Sequence, residues 1–155
     1  MDFSLSDEQR SLQNSVRQFA QKELPPIAKK VEETDEPPNL EIRKRFAELG
    51  YLGINLNSEF GGAGGSHLDA VIVLEEIAKI SIGVAFPIFE SCFGPSLAIA
   101  HFGNNHLKKS LLPKICSGDI VLAVSMSEPG AGSALTDLTT KAVVEDGEVI
   151  LNGTK

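Results

Sequence analysis

The spacing of the apolar residues changes once along this chain, near Asp119. Before that point, apolar residues recur every three or four positions, which is the period of amphipathic helices. After it, apolar residues alternate over residues 120–126, and two β-branched runs flank Asp146–Gly147, a pair typical of two-residue hairpin turns. The sequence therefore predicts a mostly α chain: an antiparallel helical bundle over residues 1–118, then the first strands of an antiparallel β-domain over residues 119–155.

Capping residues mark where the predicted helices begin. Ser6 and Gln9 have the spacing of a capping box, and Pro25 is expected to end the first amphipathic run. Further helices are expected after Asn39, after Ser66 and after Asn104 or Asn105. Several charged residues are predicted to face water on these helices, namely Arg43, Lys44, Glu48, Glu75, Glu76 and Lys79.

The segment from Ile80 to Phe102 contains a single formal charge, Glu90. Its length suits a membrane span of about 20 residues, but glycines and prolines interrupt it. A helix or a helix pair buried in the bundle explains the segment better, so no membrane span is predicted.

Composition narrows the possible partners and the compartment. Acidic residues outnumber basic ones by 21 to 14, and no dense basic block occurs, so nucleic acid is not expected as a partner. Cys92 and Cys116 lie in apolar surroundings without metal-ligand spacing, which predicts buried thiols rather than a disulfide or a metal site. The polar, acidic amino end has no signal core, so a cytoplasmic location is expected.

Residues 124–133, which we term the Ser/Gly segment, interrupt the predicted strand. Glycines and a proline there can turn several backbone N–H groups to one side, and three serine hydroxyls add further donors. Such a lip suits phosphate oxygens or the polar edge of a planar heterocycle. The alternative is a plain loop between two strands, since turns favour Ser and Gly in any case.

The segment "SMSEPGAGS", followed by Thr139 and Thr140 and by "DGEVILNGTK", resembles the flavin-binding signature of the acyl-CoA dehydrogenase family. The likeness extends along the chain through "FSLSDEQRSLQNSVRQFAQKEL", "FAELGYLGINLNSEFGGAGGSHLDAVIVLEEIAK" and "HFGNNHLKKSLLPKICSGD". It implies an amino-terminal helical domain followed by part of the family's middle β-domain. Because Asn152–Gly153 opens a turn with no returning strand, we expect the chain to be the amino-terminal part of a longer protein.

The resemblance also implies FAD as the cofactor and assigns residues to it. The implied cofactor-binding residues are Val124, Ser125, Met126, Ser127, Gly132 and Ser133. The Met126 backbone and the Ser127 hydroxyl are expected near the polar edge of the flavin ring, and Ser133 is expected to reach the CoA side of the substrate as well. Ala134 departs from the family pattern, which usually has Asp at that position, and this puts the rigidity of the loop in doubt.

For the substrate, the resemblance places residues 86–94 on the helix that closes the acyl pocket. The implied substrate-binding residues are Phe86, Glu90, Ser91 and Gly94, together with Ser133. Phe86, Pro87, Ser91 and Gly94 are expected on one side of that helix. Glu90 is interpreted as a pocket-floor residue. The family's carboxylate base comes from its carboxy-terminal domain, so no catalytic residue is expected in this chain.

The implied reaction is the α,β-dehydrogenation of an acyl-CoA thioester to the trans-2-enoyl-CoA, in which the base removes the α-proton and a hydride passes to the flavin. Electron-transfer flavoprotein is the expected electron acceptor and a homotetramer the expected assembly. Alternatives are an acyl-CoA oxidase or flavin monooxygenase of the same fold, or a non-catalytic helical module that pairs subunits. Residues 1–155 alone are expected to be inactive.

Overall fold

The computed structural model describes residues 4–155, which form seven α-helices, two short 3-10 helices and one β-hairpin. These residues divide into two compact units, 4–122 and 123–155. The predicted fold class, a mostly α chain with the beginning of an antiparallel sheet, is confirmed. In chain order the elements are α1 (Asp7–Glu23), α2 (Pro25–Thr34), α3 (Leu40–Glu48), α4 (His67–Ala78), α5 (Ile82–Cys92), α6 (Pro95–Phe102), α7 (Asn105–Cys116), β1 (Lys141–Glu145) and β2 (Glu148–Asn152).

The predicted capping residues are confirmed at four helix starts. Ser6 and Ser66 each form a complete capping box, in which the serine side chain and the third helical residue exchange hydrogen bonds with backbone N–H groups. Asn39 and Asn104 each accept a hydrogen bond from a backbone N–H in the first turn of their helix. These short polar side chains therefore fix where α1, α3, α4 and α7 begin.

Pro25 begins a helix as well as ending one. No helix was predicted between Pro25 and Asn39, yet residues 25–34 form α2. A proline fits the first turn of a helix, since its missing N–H would have no partner there and its fixed φ is already helical. Helix α2 ends at Asp35, whose backbone is left-handed with a φ of 54°.

By length and composition alone, the apolar segment 82–102 could cross a membrane, and 39% of its most apolar part is buried in the structure. It is divided into α5 and α6, each shorter than the roughly 20 residues that a span requires. Gly94 makes the break with a φ of 51° and a ψ of −110°, a conformation that glycine adopts readily. The predicted helix pair is confirmed.

Most of the apolar core of unit 4–122 lies between α1, α3, α4 and α5. Phe46 is fully enclosed and meets the Phe19 ring edge-on, with 6.1 Å between ring centroids, and Tyr51 packs against both rings. A smaller cluster joins Leu56 to Leu112 and Ile115 of α7. Together these clusters hold the surfaces of α5 and α7 in place.

Glu76 of α4 is buried, which corrects the prediction that it faces water. Only 2% of the residue is exposed, and both of its carboxylate oxygens accept hydrogen bonds from Arg17 of α1, at 3.0 and 2.9 Å. Lys79 adds a third, at 2.7 Å. The helical spacing alone placed Glu76 on a polar edge, but α1 packs there and supplies the charge that a buried carboxylate needs. The hydrogen bond from Arg17 is the main reason that the pKa of the Glu76 carboxyl lies below its ordinary value.

The hairpin predicted around Asp146–Gly147 is confirmed. Strands β1 and β2 pair antiparallel with Glu145 opposite Glu148, and both turn residues have a positive φ, as a type I′ turn requires. The strand expected over residues 120–126 is not formed. This part of the chain carries no ladder hydrogen bonds, because β1 and β2 pair with each other and no other strand among residues 4–155 is available to it.

Candidate functional site

The Ser/Gly segment begins with residues 124–127, which belong to no helix or strand and which we call the extended stretch. Residues 124–127 are all exposed, and none of their backbone N–H groups donates a hydrogen bond within residues 4–155. The hydroxyls of Ser125, Ser127 and Ser133 likewise have no partner among those residues. The stretch therefore presents a row of unused hydrogen-bond donors.

These donors border an open cavity of about 420 Å³, which is lined by Val124, Ser125, Met126, Ser127 and Lys155. Val124 and Met126 contribute half-exposed apolar side chains. A surface that combines apolar side chains with backbone donors suits a flat ligand with a polar edge.

A tight turn follows the extended stretch. Glu128 and Ala131 exchange backbone hydrogen bonds of 3.0 and 3.1 Å, which close the turn through Pro129 and Gly130. Both residues of this bridge are buried, although their neighbours in the segment are exposed. The turn is therefore a fixed feature of the segment.

Neither Gly130 nor Gly132 is required by the packing around it. A methyl group added at either position would meet nothing within 4 Å, and neither backbone has a positive φ. The space beside both glycines is open, so the surrounding chain would accept a side chain there. This openness fits the predicted role of the glycines, which is to let a ligand approach the backbone closely.

A second cavity, of about 430 Å³, lies on unit 4–122 between α5 and the segment that joins α2 to α3. Phe86 and Glu90 of α5, two of the predicted substrate-binding residues, line it, as do Pro37, Leu40 and Arg43. Its wall is largely apolar, but Asp35 and Glu36 also line it, and a charged pair lies at one place.

That pair is Arg43 and Glu90, and its arginine was missed by the sequence analysis. Arg43 Nη1 donates to Glu90 Oε2 at 3.0 Å, and Nη2 donates to the Ile120 carbonyl at 3.2 Å. The two side chains are only 6% and 18% exposed. The prediction that Arg43 faces water is therefore wrong. Arg43 lies three residues before the buried Phe46, and this spacing places it on the inner face of α3. That spacing could have predicted that Arg43 is buried.

The structure does not bring all the predicted substrate residues to one side of α5. Ser91 is fully enclosed, and its hydroxyl donates to the Ile88 carbonyl at 3.2 Å and lies 3.6 Å from the Cys92 sulfur. Gly94 follows the end of the helix and lines no cavity described here. Phe86 and Glu90 are one helical turn apart, which explains why these two share a cavity and Ser91 does not.

Three phenylalanine side chains on α5 and just after its end form a row that was also not predicted. Phe86 and Phe89 lie 5.6 Å apart between ring centroids, and Phe89 stacks on Phe93 at 6.0 Å. With Leu74, Ala78, Ile82 and Ala85 of α4 and α5, Phe86 and Phe89 line an apolar groove of about 210 Å³. The spacing of three and four residues between the phenylalanines was the signal in the sequence.

The cysteines are free and buried, as predicted. Burial raises the pKa of the Cys116 thiol to about 11 and also raises that of Cys92. Among residues 4–155 no cluster of three or more His, Cys, Asp and Glu side chains is arranged to hold a metal ion.

Sequence comparison relates residues 6–119 to the family described as "Acyl-CoA dehydrogenase, N-terminal domain". Mitochondrial isovaleryl-CoA dehydrogenase of Pongo abelii is 37% identical over 155 residues, which cover 97% of this chain and 36% of that protein. Acryloyl-CoA reductase (NADH) of Anaerotignum propionicum is 37% identical over 157 residues, which cover 100% and 39%. The chain thus spans about two fifths of the length of these curated relatives.

Solved structures agree with the sequence comparison. Glutaryl-CoA dehydrogenase in complex with glutaryl-CoA superposes with a TM-score of 0.90 at 33% identity, covering 99% of this chain and 39% of that one. A glutaryl-CoA dehydrogenase of Mycobacterium smegmatis in complex with FADH2 gives 0.88 at 27% identity, covering 96% and 38%. From the family match over residues 6–119 and these structural likenesses, this chain belongs to the acyl-CoA dehydrogenase family.

Proposed function

We propose that this chain contributes the amino-terminal helical domain and part of the flavin site of an FAD-dependent acyl-CoA dehydrogenase, which converts an acyl-CoA thioester to the trans-2-enoyl-CoA. The observation that carries the proposal is the row of unused donors along residues 124–127, beside glycines that leave open space. In this reaction FAD would be the group that accepts the hydride from the substrate.

The geometry of the Ser/Gly segment fits the polar edge of a flavin ring. Backbone N–H groups and serine hydroxyls can donate to the carbonyl oxygens and ring nitrogens of the flavin without burying a charge. Val124 and Met126 offer apolar contact beside these donors, and Gly132 leaves room for the ligand to approach. We assign cofactor binding to Val124, Ser125, Met126, Ser127, Gly132 and Ser133.

The cavity between α5 and the α2–α3 segment supports a role in acyl binding. Its mostly apolar wall suits an acyl chain, and Phe86 and Glu90 belong to it. Ser91 and Gly94 would act indirectly, since Ser91 holds the inner face of α5 and Gly94 makes the break between α5 and α6. We also propose that Ser133 contacts the CoA side of the substrate, as the family resemblance implies.

The test is flavin binding and reduction by the full-length protein. We expect a yellow protein whose flavin absorbance bleaches anaerobically on addition of an acyl-CoA, with the acyl group identified from a series of chain lengths. Fast peroxide formation in air would favour an acyl-CoA oxidase instead. A colourless protein that does not bind added FAD would overturn the proposal and favour a non-catalytic module that pairs subunits.

Two glycine substitutions test the site more closely. Gly132→Ala meets no atom in the structure, so we expect folding stability to change by no more than about 0.5 kcal/mol. We expect FAD affinity to fall at least about tenfold, because a tenfold loss needs only about 1.4 kcal/mol of steric conflict with the ligand. Gly83→Ala in α5 is the control for FAD affinity, because its added methyl group meets only ordinary contacts at 3.6 and 3.7 Å and its φ is not positive. Unchanged FAD affinity in Gly132→Ala would contradict close approach at that position.

The assembly and the electron acceptor follow from the family resemblance alone. We propose a homotetramer in the cytoplasm that passes electrons to electron-transfer flavoprotein. Mass measurement in solution and reduction assays with that acceptor test these points. None of the described residues matches the family's carboxylate base, so we also propose that residues 1–155 alone do not turn over.

A further inference from the structure

One carboxylate lies at the centre of unit 123–155. Glu128 Oε2 accepts hydrogen bonds from the Thr139 backbone N–H at 2.7 Å and from its hydroxyl at 2.8 Å. Oε1 accepts from the Thr140 N–H at 3.0 Å and lies 3.1 Å from Lys155 Nζ. The Glu128 side chain is 3% exposed. Each carboxylate oxygen therefore has two donors, which come from two distant parts of the unit.

Lys155 connects this carboxylate to the Ser/Gly segment. Its Nζ donates to the Met126 carbonyl at 3.0 Å in addition to pairing with Glu128. The Lys155 side chain is 27% exposed, so this pair is shielded from water more than an ordinary surface pair. One ammonium group thus binds the extended stretch at Met126 and the turn at Glu128.

A second contact joins the chain near Lys155 to Thr140 by shape. A methyl group added to Gly153 would lie 2.1 Å from Thr140 Oγ1 and 2.8 Å from Thr140 Cα. The backbone at Gly153 therefore runs directly against Thr140, two residues before Lys155. This contact and the hydrogen bonds to Glu128 independently fix residues 153–155 beside residues 139–140.

The network determines which groups of the extended stretch remain available. The Met126 carbonyl is already bound by Lys155, whereas the N–H groups of residues 124–127 are unbound among the described residues. Among the described residues the carbonyls of Val124, Ser125 and Ser127 are also unbound, so Met126 is the residue whose carbonyl is engaged while its N–H is free. At Met126 the backbone therefore presents a donor, which suits an acceptor on the ligand edge.

We propose that Glu128 and Lys155 are positioning residues that hold residues 124–127 with their N–H groups directed at the acceptor edge of the flavin. This inference rests on the proposed function and extends it to two residues outside the predicted flavin contacts. Apolar packing contributes little to the arrangement, since Glu128 and Ala131 are the buried residues within 123–155. Thr140 and Thr139 hold the pKa of the Glu128 carboxyl well below its usual range, so the carboxylate is charged at neutral pH.

The test compares FAD affinity in Glu128→Gln, Lys155→Met and the double variant of the full-length protein, by titration of flavin fluorescence. Each single variant loses a charge-assisted hydrogen bond, so we expect FAD to bind about tenfold more weakly. Because the two residues act through one link, the double variant should lose less than the product of the two single losses. Glu145→Gln and Lys141→Met remove exposed charges from the same unit and serve as controls.

Two further readouts separate positioning from general stability. Lys155→Arg keeps a donor and a positive charge, so we expect it to restore most of the affinity that Lys155→Met loses. The fine structure of the bound-flavin absorbance should blur in Glu128→Gln and not in the controls. Wild-type affinity in both Glu128→Gln and Lys155→Met would overturn this inference. Failure of the wild type to bind FAD would instead overturn the proposed function.

Discussion

Units 4–122 and 123–155 are built on different physical principles. In unit 4–122, apolar side chains from several helices are enclosed around Phe46, and the charged residues that are buried have charged partners. In unit 123–155, both strands of the hairpin are exposed on both faces, and a buried carboxylate organises the loop. The first unit derives its order from the hydrophobic effect, and the second from hydrogen bonds.

This difference separates stability from ligand chemistry. A hydrophobic core encloses its groups and leaves few free donors, whereas the Ser/Gly segment keeps its N–H groups and hydroxyls available. Substitutions in the helical unit should therefore act on folding. Substitutions in the Ser/Gly segment should act mainly on ligand affinity.

The largest effect is expected at Phe46. Phe46→Ala removes a fully enclosed ring that touches Phe19 and Tyr51, so we expect the free energy of unfolding to fall by about 3–5 kcal/mol. Denaturant titration measures it. Phe102→Ala is the control, because Phe102 is 89% exposed and should change stability by no more than about 0.5 kcal/mol. Equal losses in the two variants would contradict the core described here.

The next effect compares glycines of the two units. A methyl group at Gly62 would lie 2.2 Å from the Leu56 carbonyl oxygen, so the backbone must shift and Gly62→Ala should cost about 1–3 kcal/mol. Gly130→Ala in the second unit meets no atom within 4 Å and should leave folding nearly unchanged. Thermal unfolding of both variants measures the contrast. A loss of stability in Gly130→Ala as large as that in Gly62→Ala would contradict the expected difference between the two units.

A smaller and more local effect is expected at the hairpin turn. Gly147 has a φ of 82°, and a side chain in that conformation costs about 1–2 kcal/mol. Gly147→Ala should therefore speed amide hydrogen exchange in β1 and β2 while leaving exchange in α1 and α4 unchanged. Asp146→Asn is the control, because Asn tolerates the left-handed φ of 51° at that position. Equal changes in the hydrogen-exchange rate across both units would contradict the division into units 4–122 and 123–155.

The smallest expected effect is on the dependence of folding stability on pH. The Glu76 pKa is lower in the folded chain than its ordinary value of 4.5, so the unfolded state binds the proton more tightly. The stability that this carboxylate contributes is complete above pH 4.5 and is lost as the pH falls through the folded pKa. Glu76→Gln should show a flatter dependence of stability on pH in this range, as measured by denaturant titration. An unchanged slope would mean that Arg17 does not favour the charged form.

How much the sequence predicted depends on how local each signal is. Helix caps are encoded by residues three or four apart, and the hairpin turn by two adjacent residues. The caps Ser6, Asn39 and Ser66 and the turn at Gly147 were predicted correctly, and Asn104 was one of two predicted alternatives. Glu76 and Arg43 were assigned to water because their partners are far away in sequence. A helical pattern gives the direction of a side chain but not the residue that it meets.

The site shows the same division. The Ser/Gly segment could be identified from a contiguous motif, and residues 124–127 are accessible as a ligand edge requires. The sequence could not show that Lys155 lines the cavity beside residues 124–127, or that the segment joining α2 to α3 lines the cavity beside α5. In both cases the residues that meet are far apart along the chain. Pro25 ends α1 as predicted, and α2 was missed because the same residue also begins the next helix.

The β-hairpin has a consequence for handling the chain. Val144, Val149 and Leu151 share one face of the hairpin and are 64–73% exposed. Water-exposed valine and leucine on a ribbon with unpaired edges attract other extended chains. Residues 1–155 kept alone at high concentration should therefore self-associate through this face, and low protein concentration or a mild detergent should keep them dispersed.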